Sequence, residues 1–174
     1  MKKLIIAFSG IVVMTLASIS ANAQSNPAAN ASAQAYANII TPIAIQKNEG
    51  KDLKFGNIIA SAAGGTVSIA TNGSADYTGL AAPSVPGDRQ AAEFLVSGFG
   101  GAAYNVNTAV VEDLTNGSNT MDLTLTDPAT DEGTLGTLSG EGSQVIKIGG
   151  SIAVNPNQPA GQYTGSFTVT VNYQ

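Results

Sequence analysis

The sequence predicts an all-β sandwich, and three observations carry the prediction. From Gly161 to Gln174 the chain alternates without a break: Gly161, Tyr163, Gly165, Phe167, Val169, Val171 and Tyr173 are apolar or glycine, and every residue between them is polar. Period two sets one face on a core and the other in water, as in an antiparallel strand at the side of a sandwich. Shorter alternations recur upstream, separated by turn-forming pairs. Only 11% of residues are charged, while Gly, Ala, Ser, Thr and Asn are abundant. Such a composition favours neither charge-driven disorder nor helix.

In chain order, the first element is a secretory signal. Lys2 and Lys3 precede an apolar run from Leu4 to Leu16, and small polar residues lead to Ala21-Asn22-Ala23, so cleavage is expected after Ala23, with Gln24 as the new N-terminus. The apolar run falls short of the roughly 20 residues that a membrane span needs. No cysteine is present, so neither thiol lipidation nor a disulfide contributes. Removing residues 1–23 takes away two of the seven basic residues and none of the twelve acidic ones, which leaves a net charge of −7. That sign argues against nucleic acid and anionic membrane surfaces as partners.

Residues 24–30 read as a flexible lead-in, and residues 31–174 as a single sandwich domain. A chain of this size buries about 70% of its unfolded surface, so a hydrophobic core alone suffices to hold it. Ala31, Ala33, Ala35, Ala37 and Ile39 alternate with polar or exposed positions until Pro42 interrupts. This is a first strand with a slim inward face, placed at an edge or bent at the proline, before Ile43 and Ile45 resume the pattern. Further strands are expected around Leu53 and Phe55, Val67 and Ile69, Phe94 and Val96, Tyr104 and Val106, Met121 to Leu125, and Ile146 to Val154. Gly64-Gly65, Asn72-Gly73, Pro86-Gly87, Gly100-Gly101, Asn116-Gly117, Asp127-Pro128 and Gly149-Gly150 mark reversals or bulges between them. Residues 72–90 and 127–142 are weakly patterned and read as long loops or irregular short strands. About eight to ten strands without a helix point to a Greek-key sandwich of immunoglobulin type, with a jelly roll or partly closed barrel as alternatives.

The chain contains no His and no Cys, which removes imidazole bases, thiolate nucleophiles and the softer metal ligands. Glu112-Asp113, Asp127, Asp131-Glu132 and Glu141 remain as candidate acid–base pairs of a glycosidase. They sit among turn residues as solvated charges do, and the chain has no Trp to offer a sugar platform. Asp127, Asp131 and Glu132 are close enough in sequence to suggest a calcium loop, but their spacing does not match an EF-hand. No catalytic residue, cofactor or metal site is therefore assigned. Gly98, Gly100 and Gly101 lack the Lys-Ser or Lys-Thr of a phosphate cradle and read as a turn. Phe55, Phe94, Phe99, Tyr104, Phe167 and Tyr173 could form a binding stripe, but most fall on inward positions and core packing is the expected role; Tyr77 is the aromatic expected to be exposed.

Several segments together carry a resemblance: Ala-Asn-Ile-Ile-Thr-Pro-Ile-Ala-Ile at 37–45, Asp-Leu-Lys-Phe-Gly-Asn-Ile at 52–58, Gly-Thr-Val-Ser-Ile at 65–69, and the ending from Gly161 to Tyr173. Over residues 31–174 the chain resembles the bacterial domain-of-unknown-function family numbered 4402. More distantly it is similar to chaperone-usher pilins and spore-coat U type domains, whose terminal strand has a Gly near its start and a Tyr next to last, the places of Gly161 and Tyr173 here. The pilin likeness implies strand addition, in which a neighbour's N-terminal extension completes a sheet through main-chain hydrogen bonds. Ala31, Ala33, Ala35, Ala37 and Ile39 are the candidate donor. Gly161, Tyr163, Phe167, Val169, Val171 and Tyr173 are the candidate acceptor edge. The small alanines call for shallow pockets, and the disulfide common in pilins is missing.

The competing reading makes Ala31 to Ile45 the first strand of its own complete sandwich. The expectation is a non-enzymatic exported module, extracellular or at the cell surface with the periplasm as an option, associating with itself or related subunits and not inserted in a membrane after signal cleavage. The alternative is a monomeric sandwich that binds glycan, peptide or cation through its loops, residues 72–90 first among them.

Overall fold

The structure is a computed structural model that describes residues 29–130 and 135–174. The expected signal, residues 24–28 of the lead-in and the Asp131-Glu132 pair lie outside the described residues. The chain divides into two units after Ala37. In the first, residues 29–37 are exposed and carry no helix or strand. The second, Asn38–Gln174, holds the strands: β1 (Ala44–Lys47), β2 (Lys54–Phe55), β3 (Gly65–Ile69), β4 (Ala75–Thr78), β5 (Arg89–Gln90), β6 (Ala92–Ser97), β7 (Tyr104–Asn116), β8 (Asn119–Met121), β9 (Leu123–Leu125), β10 (Ala129–Thr130), β11 (Ser143–Ile148), β12 (Gly150–Val154) and β13 (Thr164–Tyr173). The described residues form no helix, and the fold is all-β, as expected of a β-sandwich. The thirteen strands exceed the expected eight to ten because β2, β5, β8, β9 and β10 have three residues or fewer.

All pairings are antiparallel. Two four-stranded sheets, β1-β6-β11-β10 and β4-β3-β12-β9, accompany a three-stranded sheet β13-β7-β8 and the short pair β2-β5. Side-chain alternation explains the layering. On β11, Gln144, Ile146 and Ile148 are buried while their neighbours are not, and on β12 Gly150, Ile152 and Val154 continue the same phase. Between these strands the chain crosses from one sheet to the other at Gly149, where a Cβ would strike the carbonyl of Ile69. Glycine is what lets the corner close.

Two apolar clusters result. One gathers Val96, Tyr104, Leu138, Ile146 and Val171, with Val106, Val169 and Tyr173 packed against it. The other gathers Phe55, Val67, Ile69, Met121, Leu123, Ile152 and Val154, with Leu114, Tyr163 and Phe167 against it. The long β7-β13 pair contributes to both, so its sheet is the layer on which the two four-stranded sheets rest. Each fully buried Val or Ile in these clusters contributes about 1.5–3 kcal/mol.

The turn pairs behave as their chemistry requires. At the β7-β8 hairpin, Asn116 pairs with Asn119, and Gly117 takes φ +63° at the first loop position, as a two-residue hairpin turn of the II′ kind needs. At the β3-β4 reversal, Gly73 has φ +81°, its N–H bonds the Ala70 carbonyl at 2.8 Å, and the Asn72 side chain accepts from the Ser74 N–H at 2.9 Å. β4 and β5 fall in the weakly patterned segment 72–90, and β10 falls in 127–142.

These expectations need correction. Ala31, Ala33, Ala35, Ala37 and Ile39 are not in a strand, and the first strand begins beyond Pro42, at Ala44. Alanine has low β-propensity and its methyl adds little buried area, so the alternation alone does not hold this segment on a sheet. Tyr77 is not an exposed aromatic: it is half-buried on β4 against the Phe55 cluster, and its hydroxyl accepts from Arg89 Nη1 at 3.3 Å. Phe99 is not in the core: it lies in the β6-β7 turn, outside any strand whose alternation would point it inward, and is 43% exposed.

Candidate strand-edge site

The start of β13 is set by a polar lock in the preceding loop. Asn155 N–H donates to Gln158 Oε1 at 3.3 Å, while the Gln158 Nε2 donates to the Tyr163 hydroxyl at 2.9 Å. That hydroxyl donates in turn to the Pro159 carbonyl at 2.9 Å. Gln158 is buried, so these bonds offset the cost of removing its amide from water. Gly161 adopts φ +153°, and a Cβ there would run into the Asn116 side chain. Glycine at 161 is thus a requirement of the β7-β8 hairpin packing beside it.

β13 then runs as an edge strand. Among the described residues it is hydrogen-bonded to β7 alone, from Thr164 opposite Thr115 to Tyr173 opposite Tyr104. Register shifts on both sides of Ser166 mark a bulge, and Gly165 fits it because a Cβ would lie 2.7 Å from the Glu112 carbonyl oxygen. The inward row is Phe167, Val169, Val171 and Tyr173, of which Val171 is buried and the others are half-buried. Phe167 packs edge to face on Phe94, with ring centroids 6.2 Å apart at 70°. The Tyr173 hydroxyl accepts from the Phe99 N–H at 2.6 Å and donates to the Thr41 carbonyl at 2.7 Å. Gly98 leaves room for it, since a Cβ there would occupy the hydroxyl's place.

Beside the first half of β13 lies an open cleft of about 1000 Å³. Leu114, Met121, Leu123, Ile152, Val154, Tyr163 and Phe167 line it together with Leu53, Phe55 and Ile58. Lys54, Asp52 and Asp88 also face it. Lys54 pairs with Asp88 at 2.7 Å, and this hydrogen bond holds its ammonium above the ordinary 10.5. Opposite Phe167 on β7, Val110 is 38% exposed, so this part of the sheet keeps apolar surface in contact with water.

The structure therefore brings Tyr163, Phe167, Val169, Val171 and Tyr173 together on one edge and places Gly161 at its approach. Ala31 to Ala37 are exposed, and Ile39 is 97% exposed. The carboxylates do not converge: Glu112, Asp113, Asp127 and Glu141 are all exposed, and no three potential ligands cluster among the described residues. Asp113 has a structural task instead, since its Oδ1 accepts from the Leu123 N–H at 2.9 Å and ties β7 to β9. Gln158 is one site residue that the sequence did not single out, because a buried amide carries no periodic signal.

A family model described as Domain of unknown function (DUF4402) matches residues 43–173. No curated protein and no solved structure matches the chain.

Proposed function

We propose, for a chain that belongs to the domain-of-unknown-function family DUF4402, a non-enzymatic structural role: an exported cell-surface subunit that assembles with copies of itself or related subunits by strand addition. The observation that carries this reading is the edge of β13 that no strand pairs among the described residues, beside the apolar cleft. Sheet edges are ordinarily blunted by charge, proline, bulges or a covering element. Past the bulge at Ser166, β13 reads Phe-Thr-Val-Thr-Val-Asn-Tyr, with neither charge nor proline and with β-branched residues that suit pairing. An added strand would satisfy its main-chain donors and acceptors and cover Phe167 and Leu114.

The test compares the mass in solution of the chain from Gln24 with that of a version lacking residues 24–38, by light scattering. Multimers that disappear on truncation, with the strand signal in circular dichroism retained, support the reading. Folded monomers in both samples, or multimers indifferent to truncation, would end it.

A further inference from the structure

We infer that the cleft beside β13 is a preformed binding site for a small uncharged amphiphile, a single aliphatic chain that carries a hydroxyl-bearing head. The site belongs to one copy by itself and does not rest on strand addition.

Both walls are fastened within the copy. On one side the Asn57 N–H donates to the Pro86 carbonyl at 2.7 Å and the Asn57 Nδ2 to the Val85 carbonyl at 2.9 Å, which ties the segment carrying Phe55 and Ile58 to the one before Asp88. On the other side the buried Gln158 amide donates through Nε2 to the Tyr163 hydroxyl at 2.9 Å and to the Thr120 carbonyl at 3.3 Å. Neither wall can close on the other without giving up these bonds. At about 1000 Å³ the cleft stands at the upper end of the roughly 300–1,000 Å³ of small-molecule sites, which are mostly preformed and apolar.

The floor selects the body of the ligand. Met121, Leu123, Ile152 and Val154 form it and are buried, and Leu114 and Phe167 stand half-buried beside them. Such a surface rewards an alkyl chain, methylene by methylene, over a bare sugar, whose hydroxyls would find no partners there. The approach is apolar as well, since Ile59, between the lining residues Ile58 and Ala60, and Val85 are both exposed.

The rim selects the head. Among the described residues, the charged side chains that face the cleft are Asp52, Lys54 and Asp88. Lys54 pairs with Asp88, and Lys47 with Asp52. Each rim ion thus has its counter-ion, so a charged head meets no unpaired partner and its own loss of water goes uncompensated. Asn57, Gln162 and Thr164 also line the rim and are exposed, and their amide and hydroxyl groups suit the hydroxyls of an uncharged head.

Alkyl glucosides supply the probe and Met121 the reporter, since it is the one methionine among the described residues and lies on the floor. Methionine-methyl NMR of the full chain, with the Met121 resonance assigned by its loss in Met121→Leu, is expected to show a saturable shift with octyl glucoside below its micelle-forming concentration. Affinity is expected to rise about fourfold per methylene from the hexyl to the nonyl compound. Ala60→Trp and Thr164→Trp enlarge exposed lining positions on opposite walls, and each is expected to abolish the shift with wild-type circular dichroism. No shift at any chain length, or an affinity that neither chain length nor the two variants change, overturns the cleft as the site. Equal or tighter binding of octanoate or octylammonium overturns the uncharged head, and equal binding of glucose overturns the aliphatic body. Light scattering of the same samples reads assembly separately: multimers without a methyl shift overturn this inference and leave the proposed function standing, whereas a shift in a monomeric sample supports it by itself.

Discussion

Replacing Ile39 with alanine separates assembly from folding. The side chain is 97% exposed within one copy, so its removal leaves the stability of the isolated subunit within about 0.5 kcal/mol of wild type. Where residues 31–39 act as the added strand of the proposed function, the same side chain is expected to enter the cleft beside Phe167 and Leu114. The substitution deletes three carbons, each worth about 0.8 kcal/mol when buried, for a loss of about 2.4 kcal/mol per contact. At 1.4 kcal/mol per decade, subunit affinity drops about fiftyfold. Sedimentation velocity over a dilution series reads this as a shift of the monomer–multimer midpoint to higher concentration, and urea unfolding of dilute protein reads subunit stability. An unmoved midpoint refutes the placement of Ile39 in the cleft. A fall in subunit stability of 2 kcal/mol or more, roughly what full burial of the side chain would give, shows instead that Ile39 packs inside its own copy.

Other substitutions probe the frame around the edge. Tyr104 is 1% exposed and its hydroxyl hydrogen-bonds the buried Gln144 side chain, so Tyr104→Phe is expected to cost about 1–3 kcal/mol in urea unfolding, with Tyr104→Phe/Gln144→Leu recovering part of that loss. Tyr173→Phe removes both bonds that tie Phe99 and Thr41 together; about 1–2 kcal/mol is expected, with faster amide exchange at Phe99. Gly161→Ala, at φ +153° and against Asn116, is expected to cost about 1–3 kcal/mol, where the same change at an unstrained position would stabilise, measured by the thermal midpoint. Burial raises the Tyr104 hydroxyl above its ordinary 10.0. Its contribution to stability is full below pH 10 and declines as the pH rises through the folded-state value, so unfolding at alkaline pH above 10 is expected to be blunted in Tyr104→Phe.

Period two at Gly161–Tyr173 located β13, because from Phe167 onward one of its faces meets a core and the other meets water. Asn116-Gly117 and Asn72-Gly73 located two hairpins, because glycine supplies the positive φ that those loops need. The length of β7 was hidden: Val110 and Val111 are both exposed and Glu112-Asp113 come directly after them, so pairing with β13 rather than amphipathicity keeps that stretch extended. Ala31–Ile39 shows the reverse case, with alternation but no strand in its own copy. The cleft left no trace in the sequence, since Leu53, Leu114, Met121 and Phe167 come from four separate segments and only the fold brings them to one opening.

The strand order also bears on how the chain reaches this state. β1 pairs with β6, β3 with β12 and β7 with β13, and the Tyr173 hydroxyl meets a carbonyl 132 positions earlier. Few of these pairings are local, so chain ends must find each other before most of the compensating contacts form, and folding on the order of milliseconds to seconds is the consequence. During that interval the β13 edge and the uncharged leading segment coexist in every molecule. The yield of isolated subunits on refolding should therefore fall as protein concentration rises, a kinetic cost of keeping the β13 edge open.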